Sequence, residues 1–77
     1  MHTIEFILMG DYIELCNLLK LAGVADSGGQ GKALVAQGQV KVDGQIELRK
    51  TAKIRVGQIV EHQDVIISLL STSNKSN

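Results

Sequence analysis

Residues 23–44, GVADSGGQGKALVAQGQVKVDG, leave the backbone few choices. Ser27 opens a helix and Gln30 stands three residues on, the spacing of a capping box. The serine hydroxyl there accepts from an orphan helix N–H while the residue at the third position reaches back to the cap. Gly38 supplies the left-handed residue that commonly ends a helix, so the helix runs from about Ser27 to Gln37. Val40, Val42, Ile46 and Leu48 then alternate about Asp43-Gly44, a strong hairpin signal. A two-residue turn there sets Val40 opposite Glu47 and mixes apolar with charged side chains. A three-residue loop with Gly44 left-handed keeps the four apolar residues on one face, and that is the register the pattern predicts.

The flanks supply the rest of a small domain. Residues 3–8 read as a strand with Ile4, Phe6 and Leu8 on one face. Asp11 is placed to cap the next helix, with Glu14 three residues later. Leu15, Leu18, Leu19 and Ala22 form its buried stripe, Cys16 borders that stripe as a small hydrophobe, and Gly23 closes the helix. Only four residues link the two helices, which makes them a compact αα pair. Leu34, Val35 and Gly31 face the first helix. Glycine within a helix costs about 1 kcal/mol relative to alanine. Close packing accounts for Gly31, whereas Gly28 and Gly29 stand evenly between packing and backbone access for a phosphate.

After the hairpin, Arg49-Lys50-Thr51-Ala52 forms a basic bend. Residues 53–56 alternate as a strand, Lys53 and Arg55 on one face and Ile54 and Val56 on the other. Gly57-Gln58 turns the chain into a strand over 59–61, His62-Gln63-Asp64 turns it again, and 65–70 is the last strand. The tail 71–77 has nothing to bury and is expected to be disordered. The 24 Leu, Ile and Val residues suffice for one core, although a chain this short buries only about 60% of its unfolded surface. The expected architecture is a single α+β domain over residues 1–70, with two packed short helices against a small, mainly antiparallel sheet.

Catalytic and metal chemistry find no footing. His2, His62 and Cys16 are scattered without ligand spacing. One cysteine excludes an internal disulfide, and a reducing cytoplasm is the simplest compartment. Glu5 interrupts the short apolar run 4–9, so neither a signal peptide nor a membrane span is expected. Gly29-Gln30-Gly31-Lys32 has the look of a phosphate loop, but that pattern needs glycine at Asp26, a hydroxyl at Ala33 and a preceding buried strand. No acid/base pair or activated nucleophile can be assigned. The expectation is a non-enzymatic binding protein without cofactor or metal.

Charge says what it binds. The chain is neutral overall, yet residues 20–55 hold seven Lys and Arg against three Asp and Glu, and the remainder holds one Lys against five acids. Such asymmetry points to one basic face. With Phe6 and Tyr12 as the only aromatic residues, stacking of single-stranded bases along a row of rings is disfavoured. A basic face without a long recognition helix grips phosphates and sugars, which suits structured RNA read by shape. The candidate residues from charge placement are Lys20, Lys41, Arg49, Lys50, Lys53 and Arg55.

Residues 15–60, above all LCNLLKLAGVADSGGQGKALVAQGQVKVDG followed by KIRVGQIV, resemble the S-four RNA-binding module, an αα-plus-hairpin unit also called the alpha-L motif. In stand-alone form, ELCNLLKL at 14–21 with SGxxxK at 27–32 is similar to the bacterial YbcJ family of small RNA-binding proteins. The module often carries basic residues near the start of its first helix and an arginine after the serine. This chain has Glu14, Asn17 and Gly28 there, while Asp43-Gly44 replaces an asparagine-glycine turn and Gly57-Gln58 a glycine-aspartate. The resemblance therefore implies RNA binding through Ser27, Gln30, Lys32 and the hairpin side rather than through the first helix, with Gly28 and Gly29 as candidates for backbone contact to a phosphate at the helix start. Ribosomal or transfer RNA is the implied partner, with ribosome association in reach. The expected state is a monomer, a homodimer through exposed strand edges being left open. The alternative is a protein-interaction module that keeps the fold with little RNA affinity.

Overall fold

The first helix, α1 (Leu15–Leu21), has seven residues, too few to persist alone in water. It stands because Leu15, Leu18 and Leu19 are fully buried, each such side chain contributing roughly 1.5–3 kcal/mol. Its partner α2 (Gly28–Ala36) buries Gly31 and Val35. A Cβ on Gly31 would lie 2.6 Å from the Cys16 carbonyl oxygen, so this glycine lets the two helices approach backbone to backbone, as its pattern predicts. Both helices end in the same way. Gly23 and Gly38 take positive φ, and paired bonds close each end, Val24 N–H to Leu19 and Gly23 N–H to Lys20 in one, Gln39 N–H to Leu34 and Gly38 N–H to Val35 in the other. This is the Schellman arrangement.

The computed structural model describes residues 2–71. Around the helices lie β1 (His2–Leu8), β2 (Ile13–Glu14), β3 (Lys41–Val42), β4 (Gln45–Ile46), β5 (Lys53–Ile54), β6 (Ile59–His62) and β7 (Val65–Ser71). Five strands form a sheet in the order β1-β7-β6-β3-β4, and β2 pairs with β5 in a separate two-stranded ladder. All pairings are antiparallel except β1 with β7, which run parallel with Ile4 beside Ile67 and Phe6 beside Leu69. Val40, Val60, Ile67 and Leu69 join Leu15, Leu18, Leu19, Val35 and Ile54 in one buried cluster. The expected α+β class is the observed one. β7 extends through Ser71, and the remainder of the expected tail, 72–77, lies outside the described residues.

Three local expectations are corrected. Asp11 does not cap α1. Glu14 holds the cap position in extended conformation with no side-chain cap bond. The N–H groups of Leu15 and Cys16 donate instead to the carbonyls of Ala52 and Lys50 at 2.9 and 3.1 Å, so backbone from the basic bend does what a side chain was expected to do.

The hairpin loop has two residues, not three. Lys41 pairs with Ile46 and Val42 with Gln45, and Asp43 and Gly44 have φ of 53° and 85°, the two left-handed residues of a type I′ turn. Glu47 N–H accordingly donates to the Val40 carbonyl, the pairing that a wholly apolar face would have avoided. That face is not needed, because Ile46 and Leu48 are 58% and 60% exposed. Asp43 also fastens the turn to β6. Its carboxylate accepts from the Ile59 N–H and the Gln58 side-chain amide, both at 3.0 Å, and these bonds hold its pKa below the ordinary 3.8.

The third correction concerns the strand expected over 53–56, of which only Lys53–Ile54 is paired. Ile54 is buried as expected, but Val56 is exposed.

Candidate nucleic-acid interface

The bend at 49–52 is built from inside outward. Ala52 is buried and donates its N–H back to the Arg49 carbonyl at 3.2 Å, while the carbonyls of Lys50 and Ala52 are held by the start of α1. With the backbone so fixed, Arg49, Lys50, Thr51 and Lys53 stand exposed. Together with Lys32 from α2 they line an open depression of about 740 Å³. Residues separated by 17 positions or more in sequence thus form one basic concavity. Its four cations make it an electrostatic trap for a polyanion.

The cations are not equivalent. Arg49 is forked onto Glu47, Nε to Oε2 at 3.0 Å and Nη2 to Oε1 at 3.1 Å, and Glu47 Oε2 also accepts the Arg49 N–H. The Arg49 side-chain bonds hold the Glu47 carboxyl below its usual range, and Glu47 in turn raises the pKa of the guanidinium. Among the described residues no ion pair engages Lys32, Lys50 or Lys53.

At the start of α2, Ser27 Oγ accepts the Gln30 N–H at 3.1 Å. The Gln30 side-chain oxygen accepts from the Asp26 N–H, one residue before the cap it was expected to reach. These two polar groups are engaged in shaping the helix start. A Cβ on Gly28 would meet nothing within 4 Å, and one on Gly29 only the Ser27 hydroxyl at 3.8 Å. Packing therefore does not account for either glycine, in contrast to Gly31.

Lys20 and Lys41 stand apart from the basic depression. Lys20 occupies the last turn of α1, where a cation favours the helix dipole. Lys41 faces Glu61 across the β3–β6 pair and lines a separate depression with Glu61, Gly38, Gln39 and Gln63.

Arg55 introduces a contact that sequence reasoning did not find. The Tyr12 ring carries Lys53 Nζ at 5.1 Å and Arg55 Cζ at 5.8 Å from its centroid, within the range of cation–π attraction, each worth about 0.5–1 kcal/mol at an exposed site. The Arg55 guanidinium also reaches the Asp11 carbonyl at 3.5 Å. The β2–β5 ladder brings these together by pairing Glu14 with Lys53 and Ile13 with Ile54. Nothing local in the sequence signals that two-residue pairing.

The S4 domain family model matches residues 6–69. The Escherichia coli (strain K12) protein YbcJ, named as a candidate RNA-binding protein, is 57% identical over 49 residues, 64% of this chain and 70% of that protein. A Shigella flexneri YbcJ of uncharacterised function matches to the same extent. The solution structure of YbcJ from Escherichia coli, described as revealing an αL motif involved in RNA binding, superposes with a TM-score of 0.65 at 43% identity, covering 91% of this chain and 87% of that one. With the expected αα-plus-hairpin unit in place and the family model spanning both helices and the hairpin, the chain belongs to the S4 domain family.

Proposed function

We propose that this protein binds structured RNA, ribosomal or transfer RNA, without catalysis, and that it does so through the basic depression by phosphate and shape contacts. The observation that carries the reading is the convergence of Lys32, Arg49, Lys50 and Lys53 on one concave surface, in a chain whose relative YbcJ has a structure described as containing a motif involved in RNA binding. Lysine and arginine on a concave wall grip backbone phosphates irrespective of sequence. Gly28 and Gly29, free of packing, leave the start of α2 open to the same backbone. Lys20, Lys41 and Arg55 extend the footprint outward. The domain acts as one unit in the cytoplasm, where the buried thiol of Cys16 stays reduced, and association with the ribosome follows from the choice of RNA.

Binding of a labelled RNA hairpin, followed as a function of salt, tests the proposal. About four phosphate contacts make affinity fall on the order of fifty-fold between 50 and 200 mM salt. Lys50→Glu is expected to lower affinity with the amide spectrum otherwise unchanged, since it is the Lys50 carbonyl, not the ammonium, that holds α1. Salt-insensitive binding contradicts the reading. A protein partner retained at high salt after RNase treatment would favour the interaction-module alternative, for which the exposed Glu14 at the cap of α1 and Asn17 within it are the observation.

A further inference from the structure

Beside the basic depression lies a second, apolar one of about 280 Å³, lined by Phe6, Met9, Tyr12, Ile13 and Leu21 among others. Met9 is 80% exposed and Leu21 57%, so apolar surface at its wall is open to an incoming group. Its volume is below the range typical of drug-sized ligands. Tyr12 lines the apolar depression and is linked to the basic one through a cation on its ring. Its ring carries Lys53 and Arg55, and Lys53 in turn lines the basic depression. An apolar hollow with an aromatic wall and two cations at its rim fits one kind of occupant: a planar apolar face attached to an anion. Glu14 shares the cations' side of the ladder and Asp11, whose carbonyl the Arg55 guanidinium reaches, adjoins Tyr12, so the two cations stand with two exposed carboxylates in their neighbourhood.

We propose that the Tyr12 hollow takes a single unpaired base of the bound RNA, stacked on the tyrosine, while Lys53 and Arg55 hold its flanking phosphates. The inference rests on the RNA-binding reading and narrows it, from structured RNA in general to stems carrying a bulge or a helix-to-single-strand junction at the site. The lining carries few groups to read a base edge, so any base is accepted. One exposed ring accommodates one base, which agrees with the lack of aromatic rows in the sequence.

The test compares two hairpins that differ only by one bulged 2-aminopurine in the stem. The bulged RNA is expected to bind about tenfold more tightly, within the range stacking on one aromatic side chain supplies, with quenching of the 2-aminopurine. Tyr12→Ala should erase both the preference and the quenching and cost the bulged hairpin about tenfold more affinity than the fully paired one, with the amide spectrum of the variant as the check on folding. Tyr12→Phe should restore them. Equal binding of both hairpins without quenching overturns the inference and leaves the RNA reading standing. An equal loss of both on Tyr12→Ala also overturns it, and makes the ring a support for Lys53 and Arg55. If neither hairpin binds, the RNA reading fails and this inference with it. Concentration-dependent dimerisation without RNA, with amide shifts confined to Met9, Tyr12 and Leu21, assigns the hollow to a second copy of the chain and overturns the proposal.

Discussion

Gly31 and Gly28 sit three positions apart on one helix and answer to different demands. A methyl group at Gly31 meets backbone, the Cys16 carbonyl at 2.6 Å, which cannot swing aside as a flexible side chain would. The propensity gain of about 1 kcal/mol is set against an overpacking cost of about 1–3 kcal/mol, and the rigid obstacle places that cost at its upper end. Gly31→Ala is expected to destabilise the protein by about 1–2 kcal/mol. Gly28→Ala, with open space around it, should stabilise by up to about 1 kcal/mol. Denaturant midpoints of the two variants check the pair; equal shifts would contradict the account.

Asp43 gives the second residue-scale prediction. Its pKa is lowered first by the Gln58 amide and then by the Ile59 N–H, so the folded state favours the carboxylate. A depressed folded pKa contributes stability that is present above the unfolded value and lost as pH falls through the folded one. Asp43→Asn should therefore be less stable than the parent at neutral pH, and the difference should shrink below about pH 4 as the parent's carboxyl protonates near and below its ordinary value. Melting temperatures between pH 2.5 and 7 measure it. A difference independent of pH would show that the charge of Asp43 is not what fastens the turn.

At the scale of elements, much was legible because the signals are local. The Ser27 cap, the Gly23 and Gly38 stops and the Leu15-Leu18-Leu19 stripe depend on residues within one or two turns, and each stands where the pattern put it. The failures share a different cause. Asp11 looked like a cap, but the donors at the start of α1 are satisfied by carbonyls about 35 residues away, beyond any local rule. The hairpin register departs from the apolar alternation because alternation does not mean burial here: Ile46 and Leu48 are exposed, and left-handed Asp43 and Gly44 close a two-residue loop. Tyr12 went unremarked as a site residue because its cations arrive through a ladder only two residues long. The distinction is open to measurement. Amides at the start of a helix normally exchange fast, but those of Leu15 and Cys16 are expected to be protected to within an order of magnitude of the helix interior. Rapid exchange at Cys16 would mean that the basic bend is not docked on α1.

At the scale of the molecule, the same contacts that finish the core also shape the surface. The bend that satisfies the start of α1 through its carbonyls presents Arg49, Lys50 and Lys53 outward, and Gly31 brings α2 close enough to add Lys32 to the same wall. Stability and site are therefore coupled, and loosening the bend should blunt binding even when every lysine is retained. Neutral net charge conceals this, since the acids lie mostly outside residues 20–55. An amide NMR titration of the labelled protein with a structured RNA hairpin, repeated at higher salt, tests the central claim most directly. The account predicts salt-sensitive shifts concentrated at residues 27–32 and 49–55; shifts concentrated away from the basic face, or none at low salt with either a hairpin or intact ribosomes, would contradict it.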